Sequence, residues 1–338
     1  MNVAKISVLI LFTIGLINSN ISLSQQVPDE KIQEWLSLIK GRELGPELKS
    51  LYIFAHDGKS GVIDTSGNVI VPFKYDFIDG FYNGIAAVNI GGEYQSNSYP
   101  QIKGGKWGLV DSTGKFMTDI VYDQIDHSGV FYDLIPVKKE GKLGLIDHSG
   151  KNISPFKYDQ VEYKVDDDVW LVSIEDSIFI NPEGLEQYPD YYYYRKQGLV
   201  DEGGEITPIK YNTIYFPFYE GKTRVSVAKY SDELGTHDQY GLINRKGKQI
   251  IKPEYDYLDF EIVDVNHVYY FDGLVMLRKD HKYGFANEKG KIVIPFNYDK
   301  ATRFEDGRSS VSIYEKDETG VVTDSDDFQI DTKGRRIK

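Results

Sequence analysis

The 338-residue chain contains no cysteine. Disulfides, thiolate metal sites and the cysteine that a lipoprotein anchor requires are therefore excluded. Histidine is also scarce, with six residues at spacings that are not typical of metal ligands. The sequence has neither a phosphate-binding glycine loop nor a Gly-x-Ser-x-Gly nucleophile elbow. We therefore expect a protein that is not an enzyme and that uses no cofactor or metal.

Basic residues are fewer than acidic residues in this chain. Lysine and arginine number 39 against 52 aspartates and glutamates, which gives a net charge of −13. Such an acidic chain is repelled by nucleic acid and by anionic membrane surfaces. No apolar run reaches the roughly 20 residues that a membrane-spanning helix needs, so we expect no stable membrane insertion.

The longest apolar run, Ile6 to Ile17, lies in a segment typical of a secretory signal peptide, residues 1–24. Lys5 is the only charge there, and Ser22 and Ser24 supply small residues before Gln25. This pattern predicts export and a periplasmic or secreted mature protein. The alternative is a buried N-terminal helix.

Glycine and tyrosine are plentiful, with 32 and 26 residues, and they recur in one motif. The motif is a glycine, two apolar residues, Asp or Asn, two residues, a second glycine, a proline, and Tyr-Asp. Six copies begin at Gly61, Gly108, Gly144, Gly198, Gly241 and Gly284, and a seventh begins at Phe328. The last full copies are 43 residues apart. A period of this length is typical of β-repeat arrays.

Each copy is preceded by another apolar run. We therefore predict that one repeat unit is a three-strand meander with a short fourth strand. The Asp or Asn should cap a hairpin turn in which the second glycine takes a positive φ. The first glycine, such as Gly241, should leave room for a ring from the neighbouring strand. The proline should end or edge the third strand.

Trp107-Gly108 begins one of these copies, and the whole pattern over residues 51–338 resembles the WG repeat family of bacterial proteins. The other copies carry Ser60, Leu143, Gln197, Tyr240 and Tyr283 in place of the tryptophan. The resemblance implies a β-rich repeat scaffold that serves as an interaction module and brings no catalytic residues.

We therefore predict an all-β fold of about seven antiparallel units of three to four strands. A β-propeller-like ring would remove the exposed sheet edges, and an open superhelix is the alternative. Residues 25–50 should form an N-terminal helical cap, because apolar residues recur at helical spacing between Pro28 and Ile39.

Insertions vary between copies and fall between the first two strands of a unit, in residues 89–103, 173–196, 230–239 and 314–327. Equivalent insertions in a repeat array project on one face, so we expect binding loops there. The run Tyr191, Tyr192, Tyr193 and Tyr194 is the candidate ligand-binding site, because its rings could stack on a sugar or an extended peptide. The alternative is half-buried strand packing.

Several inserted residues are acidic: Asp232, Glu233, Asp238, Asp317, Glu318, Asp324, Asp326 and Asp327. No loop shows the spaced oxygen ligands of a known calcium loop, so solvated charge is the expected state.

Three functions remain open from the sequence. The first is a secreted binding or scaffold protein that uses the loop face, expected as a monomer. The second is a carbohydrate-binding protein of the cell envelope, and the third is a glycoside hydrolase-like enzyme with an unrecognised carboxylate pair. The expected partner is a protein or a glycan of the cell envelope.

Overall fold

Seven antiparallel sheets of three or four strands account for most of the described chain, as the repeat predicts. The computed structural model describes residues 27–39, 51–95, 101–180, 191–231, 235–263 and 266–337. The predicted signal segment, residues 1–24, lies outside them. The chain divides into two units, residues 1–156 and 157–338. Closure of the sheets into a ring, or the open alternative, stays a prediction.

The first unit holds a helix and three sheets of three strands each. Helix α1 is Asp29–Ile39. Sheet 1 is β1 (Leu51–His56), β2 (Lys59–Asp64) and β3 (Val69–Tyr75); sheet 2 is β4 (Phe77–Ile78), β5 (Ile85–Gln95) and β6 (Gln101–Asp111); sheet 3 is β7 (Gln124–Ile125), β8 (Leu134–Lys139) and β9 (Lys142–Asp147). A 3-10 helix, His127–Phe131, lies between β7 and β8.

The second unit holds four sheets and one separate hairpin. Sheet 4 is β10 (Gln160–Lys164), β11 (Val169–Ile180), β12 (Tyr191–Asp201) and β13 (Gly204–Tyr211), and sheet 5 is β14 (Thr213–Ile214), β15 (Lys222–Ser231), β16 (Gly235–Asn244) and β17 (Gln249–Tyr255). Sheet 6 is β18 (Tyr257–Leu258), β21 (Leu274–Lys279), β22 (Lys282–Asn287) and β23 (Ile292–Tyr298), and the hairpin is β19 (Glu261–Val263) with β20 (Asn266–Val268). Sheet 7 is β24 (Lys300–Ala301), β25 (Arg308–Lys316) and β26 (Val322–Asp331).

The repeat turns form as predicted. In the first copy, the Asp64 carboxylate accepts hydrogen bonds from the backbone N–H of Ser66 at 2.8 Å and of Asn68 at 2.9 Å. Asn244 and Asp331 make the same pair of contacts in later copies. The turn glycine has a positive φ, for example +85° at Gly67. Local capping thus fixes the turn that follows the strand carrying the motif's first glycine.

The first glycine of the motif makes room for the third strand. A Cβ on Gly61 would lie 2.5 Å from the ring of Phe73, and one on Gly144 would lie 2.9 Å from the ring of Phe156. At Gly241 the backbone of Ile251 and Lys252 occupies the space instead of a ring. The third strand therefore crosses close over the second at a position where only glycine fits.

Helix α1 covers the first sheet. Trp35, 4% exposed, stacks on Phe54 at a centroid distance of 4.6 Å and on Phe73 at 5.2 Å. A Cβ on the turn glycine Gly67 would lie 2.8 Å from Ile32 of the helix. In sheet 2 the corresponding Gly114 faces the Ile70 carbonyl of sheet 1 instead. The helix thus lies against sheet 1 in the way that sheet 1 itself lies against sheet 2, and the predicted short N-terminal helix is confirmed, whereas residues 40–50 of the predicted cap lie outside the described residues.

The Tyr-Asp pair joins neighbouring sheets. The tyrosine is buried in all six copies: Tyr75, Tyr122, Tyr158, Tyr211, Tyr255 and Tyr298. The carboxylate of Asp76 accepts from the Lys59 ammonium of sheet 1 at 2.5 Å and from the Gly91 N–H of sheet 2 at 2.7 Å. Asp299 makes the same link between Lys282 of sheet 6 and Tyr314 N–H of sheet 7. Within each of the two units, the motif therefore joins successive sheets.

Apolar side chains fill the spaces between consecutive sheets of a unit. Val62 of sheet 1 packs with Ala86 and Val88 of sheet 2. In the second unit, Phe285 of sheet 6 packs with Val311 and Ile330 of sheet 7. These strands have apolar side chains on both faces, as expected where sheets are stacked.

Candidate functional site

Four sheets carry long hairpin arms at the equivalent position. The arms are formed by β5 and β6, β11 and β12, β15 and β16, and β25 and β26, which remain paired as far as Gln95↔Gln101, Ile180↔Tyr191, Ser231↔Gly235 and Lys316↔Val322. Sheets 1, 3 and 6 end instead in two-residue turns, such as Glu140-Gly141, where both residues have a positive φ. The predicted positions of the insertions are confirmed.

The prediction that these insertions are loops is wrong, because most of their residues extend the two strands. The first arm keeps regular pairing from Gly92↔Gly104 to Gln95↔Gln101, and the fourth keeps it from Ile313↔Asp326 to Glu315↔Asp324. A hairpin can continue beyond its sheet because its inward-facing backbone groups pair with the opposite strand, while its outward-facing groups lie open to solvent.

The run Tyr191–Tyr194 lies at the start of β12, in the second arm. Its backbone pairs with Ser177–Ile180 of β11, after a register shift between Glu175 and Ser177. Successive residues therefore point to opposite faces of this hairpin. The side chains of the four tyrosines lie outside the described residues, so their role in binding stays a prediction.

Acidic residues in the fourth arm are engaged by the protein itself. Asp317 accepts from Thr319 N–H at 2.9 Å and from Val321 N–H at 3.0 Å, which closes the tip. Arg336 binds both carboxylate oxygens of Asp326, at 2.8 and 2.9 Å. Within the described residues, no three His, Cys, Asp or Glu side chains come together in a way that could hold a metal ion.

Sheet 7 presents an unusual polar face. Along β25 and β26, Ser309, Val311 and Ile330 are buried, whereas Arg308, Ser310 and Gln329 are exposed. Because side chains alternate along a strand, the exposed residues lie on the side directed away from sheet 6. We call this the end face and define it by Lys300, Thr302, Arg308, Ser310, Asp327 and Gln329.

Comparison with sheet 6 shows how far the end face departs from the repeat. Strand register places Arg308 opposite Asp331, as it places Leu274 opposite Asn287. Arg308, Ser310 and Gln329 therefore correspond to Leu274, Met276 and Phe285, which are buried. The position of Gln329 is apolar and 0% exposed in all six other copies: Val62, Leu109, Leu145, Leu199, Leu242 and Phe285.

Two adjoining cavities lie at this sheet. The first, of about 440 Å³, is lined by residues of all three strands and by Tyr283 of sheet 6. The second, of about 660 Å³, extends along Arg303, Glu305 and Asp306. Both include Thr302, Ser310 and Gln329 in their walls. Their volumes are in the range of small-molecule binding sites, roughly 300–1,000 Å³.

Hydrogen bonds fix the charged side chains of the end face. A hydrogen bond with Tyr314, whose ring lies 5.6 Å from the ammonium, raises the pKa of Lys300. Hydrogen bonds from Ser312 and Ser325 hold the pKa of Asp327 below its ordinary value. Both groups are therefore charged at neutral pH. Within the described residues, no hydrogen bond engages the Ser310 hydroxyl or the Gln329 carboxamide.

The end face is not evident from the sequence alone. The signal was the departure of the seventh copy from the motif, where Gln329 replaces an apolar residue and Ser309-Ser310-Val311-Ser312 replaces an apolar run. This departure from the motif indicates a polar surface only once the strand register is known, because the register places Ser310 and Gln329 on one side of the sheet.

Comparisons with known proteins agree with the repeat. The family model described as WG containing repeat matches residues 61–94, 107–142, 144–164, 240–261 and 283–316. These stretches contain the first, second, third, fifth and sixth copies, so the predicted resemblance is confirmed. No curated protein matches the chain. Among the described residues, no helix has the length and apolar character that a membrane span requires.

Solved structures give only faint similarity. A eukaryotic initiation factor is 8% identical, with 86% of this chain and 84% of the other covered and a TM-score of 0.26. A puromycin hydrolase is 8% identical over 77% and 52% of the two chains, with a TM-score of 0.20. Apo AztD from Citrobacter koseri is 13% identical over 85% and 96%, with a TM-score of 0.19. At such scores the similarity supports no inference about function.

Proposed function

We propose that this chain, five stretches of which match the WG containing repeat family, is an exported, non-enzymatic binding protein that holds another protein with its hairpin arms. The observation that carries the proposal is the placement of the arms at the equivalent turn of four sheets. The sheets supply a rigid base, whereas the arms differ in length and sequence. Binding surfaces commonly combine a constant scaffold with variable extensions of this kind.

The physical basis for binding is the unpaired backbone of the arms. A two-stranded hairpin has a free edge on each strand, and an extended segment of a partner can add to it through main-chain hydrogen bonds. Apolar side chains are exposed beside these edges. Tyr94 of the first arm is 62% exposed, and Val321 and Val322 at the tip of the fourth are 60% and 47% exposed. These side chains would give the added strand specificity.

The charge of the fourth arm favours a basic partner. Glu315 and Asp324 lie along its strands, and both are exposed. The net charge of the chain, −13, has the same sign. Positively charged segments would therefore be attracted before contact, and high salt should slow their association.

Arm-shortened variants test the proposal. Each arm is replaced by the Glu140-Gly141 turn of sheet 3, and the variants are compared with the wild type in capture from an envelope extract. We expect every variant to remain folded, because loop length changes stability only weakly. At least one variant should lose a partner that the wild type captures. A fully retained set of partners in all four variants would contradict the role of the arms.

A further inference from the structure

We propose that the end face of sheet 7 is a second binding site and that its ligand is a neutral polyhydroxylated molecule, a glycan. The site lies at the base of the fourth arm, on the side of sheet 7 directed away from sheet 6, and does not depend on the protein partner proposed above. Three observations carry it: the polar departure from the repeat, the two cavities, and the balance of charge in their walls.

The polar departure alone would suit a solvent-facing cap, because the last unit of a repeat array needs a polar outer side. A cap needs no cavity, however. Here two adjoining cavities of about 440 and 660 Å³ share Thr302, Ser310 and Gln329. The shared residues are polar; Thr302 directly follows β24, and Ser310 and Gln329 lie opposite each other on β25 and β26, so their hydrogen-bonding groups lie side by side. Concavity with a few converging polar groups is the usual form of a ligand site.

The chemistry of the walls selects the ligand class. The walls carry the cations Lys300, Arg303 and Arg308 and the anions Glu305, Asp306 and Asp327, and Arg303 is also paired with the anion Asp259. A set of charges this close to balance gives no net attraction for a phosphate or a nucleotide. Hydroxyl, carboxamide, carboxylate and ammonium groups together can both donate and accept hydrogen bonds, and so can sugar hydroxyls. The free hydroxyl of Ser310 and the free carboxamide of Gln329 would make the direct contacts.

Part of this arrangement is already fixed in the protein without a ligand. Thr302 Oγ1 accepts a hydrogen bond from the Ser310 N–H at 3.0 Å. Arg303 Nε lies 3.3 Å from the Oδ2 atom of Asp259, the residue that follows β18 of sheet 6. Lys300 and Asp327 are held by Tyr314 and Ser312. Preorganisation of this kind lowers the ordering cost of binding.

The test uses the full chain and isothermal titration with maltohexaose, cellohexaose and chitohexaose, with polygalacturonate as a charged comparison. We expect at least one neutral oligosaccharide to bind. Gln329→Leu, which restores the apolar character of the other copies, should weaken that binding about tenfold or more, and Ser310→Ala should weaken it less. Gln124→Leu, a matched change at an exposed glutamine of β7, should leave it unchanged.

Four results would overturn the proposal: no binding of any neutral oligosaccharide, equal binding by Gln329→Leu and the wild type, preference for polygalacturonate, or loss of binding on shortening the second arm. Melting temperatures of the variants should match that of the wild type, since Gln329 and Ser310 are exposed. Variants with a shortened first, second or third arm should keep the oligosaccharide affinity, so a failure of the arm proposal and a failure of this site are distinguishable. The fourth arm is left at full length in this comparison, because its Tyr314 and Ser325 hold Lys300 and Asp327 of the end face.

Discussion

Gly247, in the hairpin turn of sheet 5, faces the carbonyl oxygen of Ile206 in sheet 4, and a Cβ on this glycine would lie 2.2 Å from that oxygen. The same approach recurs at Gly114, Gly150 and Gly290, each against a backbone carbonyl of the preceding sheet. Two independent constraints therefore require glycine at this turn: the positive φ and the close spacing of the stacked sheets.

We predict that Gly247→Ala destabilises the protein more than Gly221→Ala does. Both glycines have φ of +70°, so both variants incur the roughly 1–2 kcal/mol cost of a left-handed alanine. Nothing lies within 4 Å of a Cβ on Gly221, whereas Gly247 meets Ile206. Urea unfolding should show the difference, with Gly247→Val worse still and Lys246→Val near the wild type. Equal midpoints for the two alanine variants would contradict the close approach.

The second prediction concerns the helical cap. Trp35→Ala should destabilise the first sheet by about 3–5 kcal/mol, because it removes a buried ring stacked between Phe54 and Phe73. Hydrogen exchange in β1 to β3 is the measurement, and it should quicken. Leu38→Ala is the control, since Leu38 lies in the same helix and is 58% exposed. Unchanged protection in the Trp35 variant would show that the helix does not cover the sheet.

Much of this architecture follows from the sequence because its causes are local. A capping Asp64, a positive φ at Gly67 and a buried Tyr75 each need only neighbouring residues, and their repetition identified the units. Helix α1 followed from apolar spacing in the same way. Contacts between residues that are far apart in the sequence could not be predicted in this way. The sequence around Gly247 or Ile206 does not predict their contact, because this contact depends on how two sheets stack.

The candidate sites show the same division. The positions of the arms were predictable, because insertions such as residues 89–103 interrupt a regular spacing. Their conformation was not, because continued pairing such as Tyr94↔Ile102 depends on hairpin register, which one residue of slippage would reverse. Gln329 likewise does not indicate a binding site when only the sequence is known. Its place on an exposed side beside Ser310 comes from the pairing of β25 with β26.

The third prediction is acid-dependent stability at the link between sheets 1 and 2. The hydrogen bond from Lys59, with that from Gly91 N–H, holds the pKa of Asp76 below its ordinary 3.8. A lowered folded-state pKa contributes stability above pH 3.8 that is lost as pH falls through the folded value. Asp76→Asn should therefore be less stable than the wild type at pH 7, and the difference should shrink near pH 3.

The magnitude at pH 7 should be modest, about 0.5–1 kcal/mol, because the Lys59 side chain is 44% exposed and its charge is screened. Urea unfolding at pH 7 and pH 3 measures it. Glu93→Gln removes a carboxylate from an exposed site on the first arm and serves as the control. A constant difference between wild type and Asp76→Asn at both pH values would show that the carboxylate charge does not stabilise this link.

The fourth prediction concerns export. The apolar run from Ile6 to Ile17 and the small residues before Gln25 predict cleavage near Gln25. Intact-mass spectrometry of the protein from its native host should find a chain that starts there, in the periplasmic or secreted fraction. Lys5→Glu should slow export, since it reverses the only charge of the segment. An intact Met1 on a cytosolic protein would exclude the proposed location.

The last prediction decides between two roles for Tyr191–Tyr194. The backbone of Tyr191–Tyr194 pairs with Ser177–Ile180, and the alternation of a β-strand predicts that alternate tyrosines lie on opposite faces of the second arm. If one face binds a ligand, replacing Tyr191 and Tyr193 by serine, or Tyr192 and Tyr194 by serine, should weaken partner capture in only one of the two variants. If the rings instead seal the arm, both variants should lose stability and show faster exchange along β11 and β12. Thermal midpoint and partner affinity, measured on the same two variants, separate these outcomes. Unchanged values of both quantities in both variants would exclude the tyrosines from either role.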